Sequence, residues 1–127
     1  MVLTHLWIQT QHDGLLRADQ IVGIDSHPTP ELAGKPSHWL LDIVVALPAG
    51  SGGPGGWEIT SLHRTVVQTP AQPSGAPLAL ARLLAELDAT DTAGVLKAAA
   101  DRTPGGSGGH VLFTVEPFDG GAVQAGD

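Results

Sequence analysis

Residues 38–47, HWLLDIVVAL, form a nearly unbroken apolar run whose alternate positions give two faces. Trp39, Leu41, Ile43, Val45 and Leu47 make one; His38, Leu40, Asp42, Val44 and Ala46 make the other. Aliphatic and β-branched side chains suit a pleated, buried surface, and about ten residues are too few to cross a bilayer. The pattern predicts the central strand of a sheet covered on both sides.

Residues 2–25 alternate in the manner of a hairpin, and the turn length decides which side chains share a face. A two-residue turn at Asp13 and Gly14 would set Ile8 opposite Asp19, mixing apolar and charged positions. A three-residue loop of His12, Asp13 and Gly14, with Gly14 left-handed, sets Val2 opposite Ile24, Thr4 opposite Val22, Leu6 opposite Gln20, Ile8 opposite Ala18 and Thr10 opposite Leu16. The other side then holds Leu3 opposite Gly23, His5 opposite Ile21, Trp7 opposite Asp19 and Gln9 opposite Arg17. Because a one-residue slip inverts every side chain, the three-residue loop is expected.

Three prolines and a glycine in residues 26–37 predict a connecting loop, and PAGSGGPGG in 48–56 a flexible stretch. Residues 57–67 read as a strand antiparallel to the central one, with Arg64 opposite Asp42, Val44 opposite Leu62 and Leu47 opposite Ile59. An opposed charge pair accounts for a carboxylate in an apolar strand. Leu80, Leu83, Leu84 and Leu87 make one stripe of an amphipathic helix over 78–89, with Pro77 in its first turn. A second helix over 91–102 follows, with Thr90 as its N-cap. Val111, Phe113 and Val115 alternate in a last strand over 110–116, most simply placed beside the first. The expectation is an α+β domain over 1–118 with a flexible C-terminal tail over 119–127. It holds an antiparallel sheet of about five strands, order ββββ-α-α-β, with the helices packed on one face.

Composition narrows the class. A chain of 127 residues is one domain's worth, and its 42% hydrophobic content, only 4% aromatic, leaves Leu, Val, Ile and Ala to fill the core. The Ala-, Gly- and Pro-rich, lysine-poor composition points to a GC-rich bacterial source and says nothing of activity. Thirteen acidic against 6 basic residues give a net charge of −7, which opposes binding to nucleic-acid phosphates or anionic lipid. The absence of cysteine excludes disulfides and thiolate metal sites. The N-terminal MVLTHLWIQTQHDG lacks the cationic and apolar regions of a signal peptide, so a cytoplasmic protein is expected.

Candidate chemistry is sparse. The six histidines include no HxH or HxxxH pair, which leaves only a metal site assembled from distant strands, with Asp25, Asp42 or Glu58 as oxygen ligands. The glycine loops lack the lysine and following helix of a phosphate cradle. Ser51 and Ser107 lack the strand–turn–helix order of a nucleophile. No cofactor or metal is expected.

The outer face of the N-terminal hairpin is the strongest signal. There Leu3, His5, Trp7 and Ile21 lie beside Asp19, and a Trp next to an Ile on a face that should be wet predicts an interface. The leading expectation is a small, acidic, non-catalytic binding or assembly module. It would act through a sheet face or edge, as a homodimer or bound to a protein partner, with no nucleic acid and no membrane. A second is a small-molecule-binding protein or small enzyme using Asp25, His27 and His38 around the 26–37 loop. A third is an acidic inhibitor of the immunity type.

Overall fold

The computed structural model describes residues 3–118 apart from 13, 31–33, 35, 54, 55 and 104, and the side chains of 46–61 also lie outside the description. So does the expected tail over 119–127. The described chain runs β1 (Leu6–Gln9), β2 (Leu15–Arg17), a 3-10 turn (Ala18–Gln20), β3 (Ile21–Pro28), β4 (Trp39–Gly53), β5 (Gly56–Thr69), α1 (Ala76–Ala89), β6 (Gly94–Ala100) and β7 (Val111–Pro117). The strands form two sheets, β2-β1-β6-β7 and β3-β4-β5. The second is antiparallel throughout, whereas the first has β1 and β6 parallel. The fold is α+β with antiparallel pairing and a packed helix, but among the described residues two sheets and one helix replace the expected single sheet with two helices.

Leu6 and Ile8 of β1, Leu41 and Ile43 of β4, Val66 and Val67 of β5, Leu80 of α1 and Leu96 of β6 meet in one buried core. Each such side chain contributes about 1.5–3 kcal/mol on full burial. β4 is the inner strand of its sheet, as its apolar run predicts, and Leu41, Ile43 and Val45 face the core. Its other face is only half-covered, with Leu40 and Val44 partly exposed on either side of a buried Asp42.

The N-terminal ribbon departs from its expected register. β1 and β2 pair only with Trp7 opposite Arg17, Ile8 opposite Leu16 and Gln9 opposite Leu15, so the connection spans residues 10–14. Thr10 braces it: its N–H donates to the Gly14 carbonyl at 2.8 Å, and its hydroxyl oxygen accepts the Gly14 N–H at 3.1 Å. The 3-10 turn, anchored by buried Ala18, then carries the chain to the other sheet. There Ile21 lies opposite Val45, so the expected partnership with His5 does not form.

Residues 91–102 are not a helix. α1 closes with Asp91 left-handed at φ 51°, its N–H on the Asp88 carbonyl at 3.1 Å and the Thr92 N–H on the Leu87 carbonyl at 3.0 Å. This is a Schellman termination, and the Thr90 hydroxyl donates back to the Glu86 carbonyl at 3.1 Å, so Thr90 ends one helix rather than starting another. Beyond it β6 is hydrogen-bonded on both sides, to β1 and to β7, with Gly94 and Leu96 buried. Those ladders outweigh alanine's helix preference of a few tenths of a kcal/mol per residue. A Cβ at position 94 would run into the Glu116 carbonyl oxygen, so Gly94 serves a close approach of strands. β7 consequently lies beside β6, not beside β1.

Candidate metal centre

β5 meets β4 one place away from the expected register. Asp42 lies opposite Thr65, and Arg64 opposite Ile43. A bulge at Val66 shifts the ladder between Leu41 and Asp42. Because strand side chains alternate, the slip sends Arg64 to the core side of the sheet, where its guanidinium reaches the Thr10 hydroxyl in the β1–β2 connection at 3.4 Å. The expected ion pair between Asp42 and Arg64 is not made.

Asp42 instead heads a polar cluster. Asp25 of β3 lies directly opposite it, and His27, two residues along, shares that face. On β5, Thr65 and His63 stand in the same relation. The Thr65 hydroxyl donates to Asp42 Oδ1 at 2.7 Å, and His27 Nε2 lies 2.7 Å from Asp42 Oδ2. His63 Nδ1 is 3.8 Å from that same oxygen and 3.7 Å from Asp25 Oδ2. Ligand atoms of Asp25, His27 and Asp42 all lie within 4.8 Å of one another. The Asp42 side chain is 4% exposed, whereas those of His27, Asp25 and His63 are nearly half exposed and can adjust.

The electrostatics favour a cation. Two carboxylates directly opposite across a ladder repel, and a buried carboxylate needs a charged or hydrogen-bonded partner. Asp25 Oδ1 is buried with no hydrogen-bond partner among the described residues. The hydrogen bond to Asp42 raises the His27 pKa above the ordinary imidazole value, with burial opposing it. A mixed set of imidazole nitrogen and carboxylate oxygen suits zinc and its neighbours better than calcium or magnesium, which take oxygen alone.

Of the residues singled out from sequence, Asp25 and His27 meet here, while His38 lines a separate groove of about 800 Å³ together with Gln9, Gln68, Lys97 and Arg102. Leu3 and Ile21 pack against the core, His5 is exposed, and Trp7 is half-buried opposite Arg17. Asp19 is held by Arg17 at 2.6 Å, a bond that lowers its pKa. The expected pairings of Trp7 with Asp19 and of His5 with Ile21 are not made. The side chain of Glu58 lies outside the described residues. Sequence reasoning counted His63 only among the six histidines, gave Thr65 no role, and paired Asp42 with Arg64 while also naming it as a candidate oxygen ligand. The signal available was the spacing of two between Asp25 and His27, which puts both on one face because β3 runs on to Pro28 instead of giving way to the loop expected from residue 26.

No family model, curated protein or solved structure gives a significant match to this chain. Among the described residues no helix is long and apolar enough to cross a membrane.

Proposed function

We propose that this chain is a small binding module whose ligand is a divalent transition-metal ion of the zinc type, held by Asp25, His27 and Asp42. What supports the reading is the convergence of those three ligand atoms within 4.8 Å around a buried carboxylate that faces a second one. Zinc binds imidazole nitrogen and carboxylate oxygen at about 2.0–2.2 Å, and its charge would neutralise the opposed pair. Native mass spectrometry after incubation with zinc or cobalt(II) tests it. One ion per chain is expected, lost in Asp42→Asn while circular dichroism is unchanged. A wild-type chain that stays metal-free with zinc, cobalt, nickel and manganese overturns the reading.

A second reading, self-association, draws on a different observation. A bulge between Ile21 and Gly23 leaves Val22 66% exposed on β3, at the margin of its sheet. Beside it runs a shallow apolar groove of about 410 Å³ lined by Ile21, Ile24, Pro77, Ala81 and Leu84. A second copy laid along this margin would cover both, as edge strands and apolar patches favour. Light scattering should give twice the chain mass, and Val22→Asp should return it to the monomer. A monomer at all concentrations removes the reading.

A further inference from the structure

We propose, building on the metal reading above, that His63 is a fourth protein ligand, so that the ion sits in a closed four-coordinate site and clamps β3, β4 and β5 together. For metal–ligand bonds of about 2.0–2.1 Å, the edges of a tetrahedron are about 3.3–3.4 Å. His63 Nδ1 stands 3.7 Å from Asp25 Oδ2 and 3.8 Å from Asp42 Oδ2, within a few tenths of an ångström of two such edges. The shorter 2.7 Å separation of His27 Nε2 from Asp42 Oδ2 is that of a hydrogen bond, which opens when a cation enters between the two atoms. With its side chain 47% exposed, His63 can turn toward the cluster without disturbing the core.

Each strand would then supply a ligand: Asp25 and His27 from β3, Asp42 from β4 and His63 from β5. β3 and β5 are not neighbours, being separated by β4, so no ladder hydrogen bond joins them. An ion held from both would be a link across the full width of the sheet. Thr65 takes an orienting role, since its hydroxyl occupies Asp42 Oδ1 and leaves Oδ2 facing the two imidazoles. Four protein ligands leave no position for water or substrate, which makes the ion a structural clamp rather than a Lewis acid.

Cobalt(II) loaded into the full chain tests this, because four-coordinate cobalt absorbs intensely in the visible and six-coordinate cobalt weakly. Intense bands are expected for wild type. His63→Ala should bind cobalt at least about 10-fold more weakly and give weak bands. His63→Cys should restore the intense bands and add a thiolate charge-transfer absorption. Zinc should raise the melting temperature of wild type more than that of His63→Ala. One cobalt bound with weak bands, and with the same affinity in His63→Ala, overturns the closed site while leaving the three-residue reading intact. Failure of wild type to bind any cobalt or zinc overturns both.

Discussion

An inner strand in each sheet carries one charged side chain among the described residues, Lys97 in β6 and Asp42 in β4, and the two are satisfied in opposite ways. Lys97 Nζ reaches Glu116 Oε2 at 2.6 Å on the neighbouring β7, with the side chains 41% and 68% exposed. Both ends stay wet, so water serves whenever the partner moves away. Asp42 is 4% exposed, bonds a neutral hydroxyl and a titratable imidazole, and faces another carboxylate across the ladder. A charge on a wet face needs no fixed partner. A buried one beside a like charge needs a cation, and no lysine or arginine among the described residues supplies it to Asp42.

That contrast presumes two sheets sharing one core, so the largest expected effect falls there. Leu41→Ala in β4 and Leu96→Ala in β6 should each cost about 2–5 kcal/mol, since both side chains are fully buried in the same cluster. Urea unfolding should stay a single transition in both variants. Two separated transitions, one per sheet, would break the comparison at its root.

Asp42→Asn separates the functions of the two charges. Zinc affinity measured by calorimetry should fall by about 100-fold, or about 2.8 kcal/mol, because a neutral amide is a poor ligand and the opposed pair loses its buried charge. Metal-free stability should change by less than about 1 kcal/mol: charge-assisted bonds to Thr65 and His27 weaken while repulsion from Asp25 disappears. Unchanged zinc affinity would mean that the cluster is not the site.

In metal-free protein the imidazole of His27 should titrate above its usual value of about 6.5, read from proton–carbon NMR spectra. The folded-state pKa is the higher one. The bond of charged His27 to Asp42 therefore stabilises fully below about pH 6.5, and that contribution is lost as pH rises through the folded value. The exposure of the imidazole keeps the effect small. Asp42→Asn should move the titration back toward the ordinary value, and a His27 that titrates normally in wild type would show that the 2.7 Å contact does not persist in solution.

How much of this the sequence discloses depends on how far each feature reaches along the chain. β4, α1 and β7 are legible because their periodicity is local: Leu41, Ile43 and Val45 alternate, and Leu80, Leu83, Leu84 and Leu87 form a stripe. β6 is not, since three alanines in sequence favour a helix until two neighbouring strands supply ladders that no local window contains. The candidate site failed by a single residue. A one-place offset, already set where Ala49 lies opposite Glu58, puts Thr65 rather than Arg64 opposite Asp42 and replaces an expected ion pair with a carboxylate bonded to a hydroxyl and an imidazole. Hairpin register is fixed by its turn, and the glycine-rich 48–56 stretch does not choose between neighbouring registers, so the partner of Asp42 was beyond reach; the shared face of Asp25 and His27 needed only a strand that runs on to Pro28.

The smallest effect belongs to the other charge. Lys97→Met removes the ion pair with Glu116 but keeps the aliphatic stem that packs along β6, so the cost should be about 0–1 kcal/mol by chemical denaturation. The pair joins exposed ends, so raising the salt concentration to about 1 M, where the screening length shrinks to about 3 Å, should erase even that difference. Zinc affinity should be untouched, because Glu116 and Lys97 lie in the sheet that lacks the cluster. A loss above about 2 kcal/mol, or one that persists in high salt, would mean that the β6 charge depends on a fixed partner as much as the β4 one does. The distinction between a charge served by water and a charge awaiting a cation would then fall.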